Sequence, residues 1–187
     1  MLASFTGAQC TGKTTLLKLC KEDYKNSGWN FVDEVTRKVK RDGLAINEEG
    51  DNLTQLFILK EHLQNHTVPE DENWLLDRCI LDGYVYTKWL HAQGSVERWV
   101  LDYAECLMSM LGKYIDVIFY TSPDDIPIED DGERSINKKF RDDIINIYDN
   151  LFKYSFSTRG KDTWRDKVVI LSGSIEDRMK TIKENLK

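Results

Sequence analysis

Eight residues near the start of the chain, Gly7-Ala8-Gln9-Cys10-Thr11-Gly12-Lys13-Thr14, set two glycines, a lysine and a hydroxyl at fixed spacing. Glycine at both ends lets the backbone curl, so that successive N–H groups converge on an anion without a side chain between. A helix beginning near Gly12 aims its positive end at the same point. Lys13 adds a cation, and Thr14 adds a hydroxyl suited to a hard metal ion. The spacing is G-x-x-x-x-G-K-[ST], the phosphate-binding P-loop or Walker A pattern. It predicts that Gly7, Ala8, Gln9, Cys10, Thr11, Gly12, Lys13, Thr14 and Thr15 hold a nucleoside triphosphate. Lys13 would reach the β- and γ-phosphates, and the Thr14 hydroxyl would bind Mg²⁺.

Acidic residues close two other apolar runs, at Asp33-Glu34 and at Asp77-Arg78. An acid beyond a strand beside such a loop can accept a proton from an attacking hydroxyl or help to hold magnesium. Asp33 or Glu34 is the candidate base, since alternation along an extended strand lets one of the two face the site. Asp77 is the candidate Walker-B-type metal ligand. Arg37, Arg78, Arg134, Lys138, Lys139 and Arg141 are the cations that could clamp a transferring phosphoryl group. Lys138 and Lys139 read as a solvated helix face, whereas Arg134 and Arg141 read as part of a closing lid.

These residues need elements to carry them. Residues 1–6 form a short apolar run ending at Gly7, the signature of a buried strand, and residues 11–23 carry Leu16, Leu17, Leu19 and Cys20 at helical spacing. Further strands are expected at residues 29–35, 73–78, 114–121 and 166–173. Helices are expected at residues 51–66 (with Asp51 as N-cap), within 80–92 and 95–111, at 137–155, and at the C-terminus. Residues 122–135 are acidic and proline-containing and read as a loop. Strands alternating with helices predict a parallel sheet covered on both faces. The expected architecture is a three-layer α/β fold of the P-loop NTPase type. It has a five-stranded, mostly parallel sheet with helices on both faces, in one domain over residues 1–187, with a lid at about 123–141.

Composition narrows the classes. The 187 residues are 41% hydrophobic and 31% charged, as in an ordinary globular domain. A net charge of -6 disfavours a duplex nucleic-acid partner, whose phosphates would need basic contacts. No apolar run is long enough to span a bilayer, no signal-peptide pattern precedes the first strand, and the four cysteines form no CxxC pair. A cytoplasmic protein with no membrane partner is the expectation. His62 and His66 are four apart, but their order and the lack of a third ligand argue against a zinc site. Trp89, Trp99 and Tyr103 have core-like spacing. Among Phe57, Tyr84 and Tyr86, one ring could stack on an acceptor base.

The P-loop, "DEVTRKV", "LLDRCILDGYVY", "DDGERSINKKFRDDIINIYDNL" and "VVILSGSIEDRMKTI" occur here in the order seen in a family of small P-loop kinases. That family, often labelled an AAA-like domain, resembles the ribosylnicotinamide kinase domain and the nucleoside and nucleoside monophosphate kinases. Many members are phage-encoded, and if this chain is one of them the cytoplasm in question would be the host's. The resemblance implies ATP and Mg²⁺ as cofactors and a nucleoside or nucleotide as acceptor. By position it implies that Glu34 (or Asp33) faces the acceptor and that Asp77 and Arg78 lie near the phosphates. It also implies that Arg134 contacts the transferring group and that Ser172, Gly173 and Ser174 flank the adenine. Cys79 follows the Asp-Arg pair where deoxynucleoside kinases usually carry Ser, and their Glu-Pro pair is missing from the second strand. Rival readings are a kinase acting on DNA and a nucleotide-dependent switch. The oligomeric state stays open, a homodimer included.

Overall fold

The computed structural model describes residues 1–123, 137–153 and 164–187. Five strands, β1 (Leu2–Thr6), β2 (Trp29–Val32), β3 (Asn73–Asp77), β4 (Val117–Thr121) and β5 (Val168–Leu171), form one sheet in the order β2-β3-β1-β4-β5. Every neighbouring pair is parallel. Among the described residues seven α-helices accompany them: α1 (Lys13–Asp23), α2 (Val35–Arg41), α3 (Asn52–Asn65), α4 (Ile80–Ala92), α5 (Arg98–Leu111), α6 (Lys138–Lys153) and α7 (Ile175–Asn185).

The period of two along each strand sorts side chains between two cores. Ala3, Phe5, Leu75 and Phe119 face α1 and α7, against Leu16, Leu17, Met179 and Ile182. Leu2, Leu76, Ile118 and Tyr120 face the opposite layer, which includes Leu59 of α3, Val85 of α4, Ala104 of α5 and Ile144 of α6. Both faces are therefore buried, as an all-parallel sheet requires. The α5 and α6 helices earn their places by periodicity: Val100, Ala104, Leu107 and Leu111 make one buried stripe, and Phe140, Ile144, Tyr148 and Leu151 another.

Central β1, between β3 and β4, brings Phe5 into register with Asp77 and Thr6 with Tyr120. The residues after β1, β3 and β4 consequently converge at one end of the sheet, where ligands of open α/β folds bind. This arrangement positions the site.

Three expectations change. The second strand stops at Val32, and Val35 instead opens α2, because Val35 and Val39 bury one turn apart against Ile58 of α3. The fourth strand begins at Val117 rather than 114, since Gly112–Tyr114 turn as a 3₁₀ helix. Trp99 and Tyr103, expected in the core, lie on the outer side of α5 at 52% and 38% exposure. Most of the expected lid, Arg134 included, lies outside the described residues. Asp51 does cap α3, its carboxylate accepting from the Thr54 N–H at 2.9 Å.

His62 in α3 and His66 at its C-cap are both buried, and the His66 Nδ1 meets the His62 carbonyl at 2.6 Å. Burial pulls their pKa values down to about 3 and about 4. The unfolded chain therefore takes up these two protons first, and stability is lost as pH falls below about 6.5. The cost should approach ~1.4 kcal/mol per pH unit for each histidine. Urea unfolding at pH 7 and pH 5 should show a steeper loss for the native chain than for His62→Gln/His66→Gln; equal slopes would contradict it. In the opposite core, Phe119→Ala should remove ~3–5 kcal/mol of unfolding free energy, read by the same titration.

Candidate active site

The loop after β1 is held in an unusual backbone shape. Gly7 has φ 135°, Cys10 φ 55° and Gly12 φ 87°. A Cβ on Gly7 would stand 2.7 Å from the Thr121 Oγ1 and 3.0 Å from its carbonyl, so only glycine allows the loop to pass β4 this closely. Gly12 serves as the left-handed N-cap of α1 with no side chain between helix end and ligand space. The Thr121 hydroxyl reaches the Thr6 carbonyl at 3.1 Å and the Thr11 hydroxyl at 2.6 Å.

Lys13 folds back into this loop. Its Nζ donates to the carbonyls of Gly7, at 2.9 Å, and Ala8, and to the Thr11 hydroxyl at 3.1 Å. Burial, followed by the Arg78 charge, lowers its pKa to about 7 against the opposing pull of Asp82, Asp77 and Glu34. An ammonium held by two loop carbonyls and one hydroxyl stands where phosphate oxygens could replace them.

The Thr14 hydroxyl donates to the Asp77 Oδ2 at 2.8 Å. The other carboxylate oxygen of Asp77 is buried with no hydrogen-bond partner among the described residues. Burial raises the Asp77 pKa, and the nearby Glu34 charge adds to the shift. An orphaned hard oxygen beside a hydroxyl fits Mg²⁺, which takes one or two protein oxygens and fills its remaining positions with water and phosphate. No cluster of three or more His, Cys, Asp or Glu side chains forms a separate metal site among the described residues.

Of the two acids after β2, Asp33 points outward with its side chain 73% exposed, paired to Lys21 at 2.6 Å. Glu34 is 6% exposed and faces the interior, where its Oε1 accepts from Arg78 at 2.7 Å and from the Thr36 hydroxyl at 2.9 Å. Arg78, at φ 81°, also donates to Asp82 at 2.8 Å and to the Gly7 carbonyl at 3.1 Å, and lies over the Tyr86 ring at 5.3 Å. Burial opposes its charge, but Tyr86, Glu34 and Asp82 outweigh that and raise its pKa well above the ordinary value. Asp82 in turn accepts from the Thr6 hydroxyl at 2.8 Å and the Cys79 N–H at 3.0 Å.

A small pocket of about 30 Å³ opens on this network. Glu34, Thr36 and Arg78 line one side, and Asp82, Gly83 and Tyr86 of α4 another. Gln55, Ile58 and His62, at i, i+3 and i+7 of α3, form the facing wall. Tyr86, with its pKa pushed by burial up to about 12, donates its hydroxyl to Gln9 of the P-loop at 3.0 Å. Pocket and phosphate loop are thus neighbours, joined by Arg78 and Tyr86. Of the three rings considered for stacking, Tyr86 lines the pocket, Tyr84 is buried, and Phe57 is 40% exposed.

Arg141 of α6 donates to the Cys10 and Pro123 carbonyls at 3.4 Å, beside the P-loop rather than in the pocket lining. Ser172, Gly173 and Ser174 lead into α7, where Ser174 and Asp177 form a reciprocal cap. Three contributors escaped the sequence reading. Asp82 had one faint signal, standing four residues after Arg78. Thr121 had none, and neither had Arg178, which donates to the Thr11, Ser122 and Gly173 carbonyls at 3.1, 3.2 and 3.1 Å.

A family model described as an AAA domain matches residues 3–178. A search of curated protein sequences finds no match. Among solved structures, a NadR protein in complex with NR superposes with a TM-score of 0.68 at 18% identity, covering 99% of this chain and 51% of that one. A NadR protein in complex with NAD and AMP-PNP gives 0.67 at 16% identity, with coverages of 99% and 49%. The chain thus spans about half the length of these neighbours, and at such identity the likeness is one of fold. With a Walker loop after the central strand of a 2-3-1-4-5 parallel sheet, this is a P-loop NTPase fold, and the chain belongs to the AAA domain family.

Proposed function

We propose that residues 1–187 act as one ATP- and Mg²⁺-dependent phosphotransferase domain that moves the γ-phosphoryl group to a hydroxyl of a small nucleoside- or nucleotide-like acceptor. The observation that carries this reading is the pocket holding the buried Glu34 carboxylate immediately beside the P-loop. An ATPase that uses water needs no second pocket there. The ligands of the NadR neighbours, NR in one and NAD with AMP-PNP in the other, support a nucleoside- or nucleotide-class acceptor and an ATP-like donor.

In this reading the loop N–H groups from Gly7 to Thr15 bind the phosphates, and Lys13 leaves its carbonyl partners to neutralise them. Thr14 and Asp77 would hold Mg²⁺, which would supply charge neutralisation on the phosphate oxygens. Glu34 accepts the proton of the acceptor hydroxyl and orients it for in-line attack, while Arg78 fixes Glu34 in place. Arg141 and Arg134 supply positive charge near the transferring group, and Ser172, Gly173 and Ser174 flank the adenine. No described helix is long and apolar enough to cross a membrane, and all four cysteines are free thiols, which supports a cytoplasmic setting.

ATP consumption should depend on an added small acceptor. Lys13→Ala should lower it by at least ~100-fold. Glu34→Gln should lower kcat by ~10²–10⁴ while ATP still binds, and Asp33→Asn should leave kcat about unchanged. Consumption that no acceptor accelerates, with ATP binding intact, would replace the kinase with a slowly hydrolysing switch.

A further inference from the structure

Helix α5 carries two largely apolar stripes, and the fold uses one of them. Val100, Ala104, Leu107 and Leu111 pack into the core. On the other side Trp99, Tyr103, Cys106 and Met110 are exposed, at spacings of four, three and four residues. That is the repeat by which one helix seats its side chains along another.

Helix α3 runs beside α5 in the same direction. At their N-terminal ends Asn52 and Glu97 exchange hydrogen bonds: the Asn52 amide donates to the Glu97 carboxylate, and the Glu97 N–H donates to the Asn52 carbonyl, both at 2.8 Å. At their C-terminal ends Leu63 and His66 share a cleft with Met110 and Tyr114. Leu53 and Phe57 of α3, one turn apart, are exposed as well and widen the α5 stripe into a face. Leu53, Phe57, Trp99, Tyr103, Met110 and Tyr114 are each 38–53% exposed. Side chains of this size leave roughly 500 Å² of largely apolar surface between them. A patch that large marks a contact with another macromolecule.

The pattern of the face says which one. Spacings of four, three and four read the same from either end, so the stripe meets its own reversed copy in register. A two-fold interface demands that self-complementarity, since one patch must fit itself. Charge agrees with the reversal. Glu97, whose Oε2 accepts from the Trp99 indole N–H at 2.9 Å, stands at the N-terminal end of the α5 face. Lys113 stands just past the C-terminal end, so two antiparallel copies set each against its opposite. Arg98 and Asp102 pair within the helix at 2.7 Å and add little net charge.

We infer that this face joins two copies of the chain about a two-fold axis, with α5 antiparallel to the partner's α5. The axis passes between Tyr103 and Cys106. Trp99 then lies on the partner's Met110, and the two Cys106 residues stand roughly 5 Å apart along the helix direction. Two such faces cover roughly 1,000 Å² together before the polar rim is counted, enough for a specific dimer. None of the residues on the face belongs to the P-loop or lines the pocket beside it, so the dimer does not depend on the kinase reading.

Sedimentation velocity on the native chain, over the micromolar range, should give twice the mass of one copy. Trp99→Glu/Tyr103→Glu puts four carboxylates into the contact and should raise the dimer dissociation constant by at least ~100-fold. Both positions are exposed in the single chain, so the far-UV circular dichroism should not change. Should that pair misfold, Met110→Glu makes the same test at the other end of the stripe. A short bismaleimide should join the copies through Cys106, the other three cysteines being buried, and Cys106→Ser should abolish the covalent dimer. A chain that stays monomeric across that range would overturn the inference, whatever other partner it binds. So would a dimer that survives the carboxylates, or one that the bismaleimide does not join through Cys106.

Discussion

One buried guanidinium holds four parts of the molecule in register. Arg78 leaves the end of β3 with a left-handed backbone, and its side chain meets the acid that opens α2, the acid in the first turn of α4, the first carbonyl of the P-loop and the ring of Tyr86. A buried ion triad contributes little net stability compared with apolar packing, but losing one member of such a set typically costs ~3–5 kcal/mol. Its value here is positional. Glu34 cannot rotate to solvent without leaving Arg78 unpaired on that side, and Gly7 cannot drift from β3 without losing a donor. The separation between acid and phosphate loop is therefore set by a rigid intermediary.

The P-loop depends equally on neighbours. Its glycines permit the curl, but the Thr121 and Thr11 hydroxyls, with Arg141 and Arg178, hold it there. Arg178 belongs to the last helix and Thr121 to the fourth strand, so the first functional loop is complete only when the C-terminal elements have docked. Such a loop offers its N–H groups already aimed, and binding need not order it. Lys13, bound to the loop's own carbonyls, keeps the cradle closed on itself by the same groups that a phosphate would displace.

How much of this could be read in advance varied with the range of the interactions. Strand and helix order followed from local pattern, since the apolar run over residues 1–6 and the helical spacing of Leu16, Leu17 and Cys20 are local signals. The second strand ran too long in the sequence reading because another β-branched residue, Val35, follows the strand-end acids Asp33 and Glu34. Val35 and Val39 instead satisfy their burial as a helical pair against α3, a contact that no local pattern contains. Trp99 and Tyr103 failed for the converse reason. Their spacing matches a buried stripe, but α5 already buries Val100, Ala104, Leu107 and Leu111 on its other side.

The sequence alone determined the phosphate loop, because Gly7, Gly12, Lys13 and Thr14 are required by backbone dihedrals and chemistry confined to eight residues. It determined the alternating layers for the same local reason. Tertiary structure decided which acid turns inward, since the choice between Asp33 and Glu34 is made by Arg78 forty-four residues away from Glu34. It also decided the roles of Asp82, Thr121 and Arg178, whose partners are brought near by parallel strand order and helix docking. Hydrogen bonds and ion pairs between distant segments leave no periodic trace, because their geometry exists only once the sheet has ordered the ends of its strands.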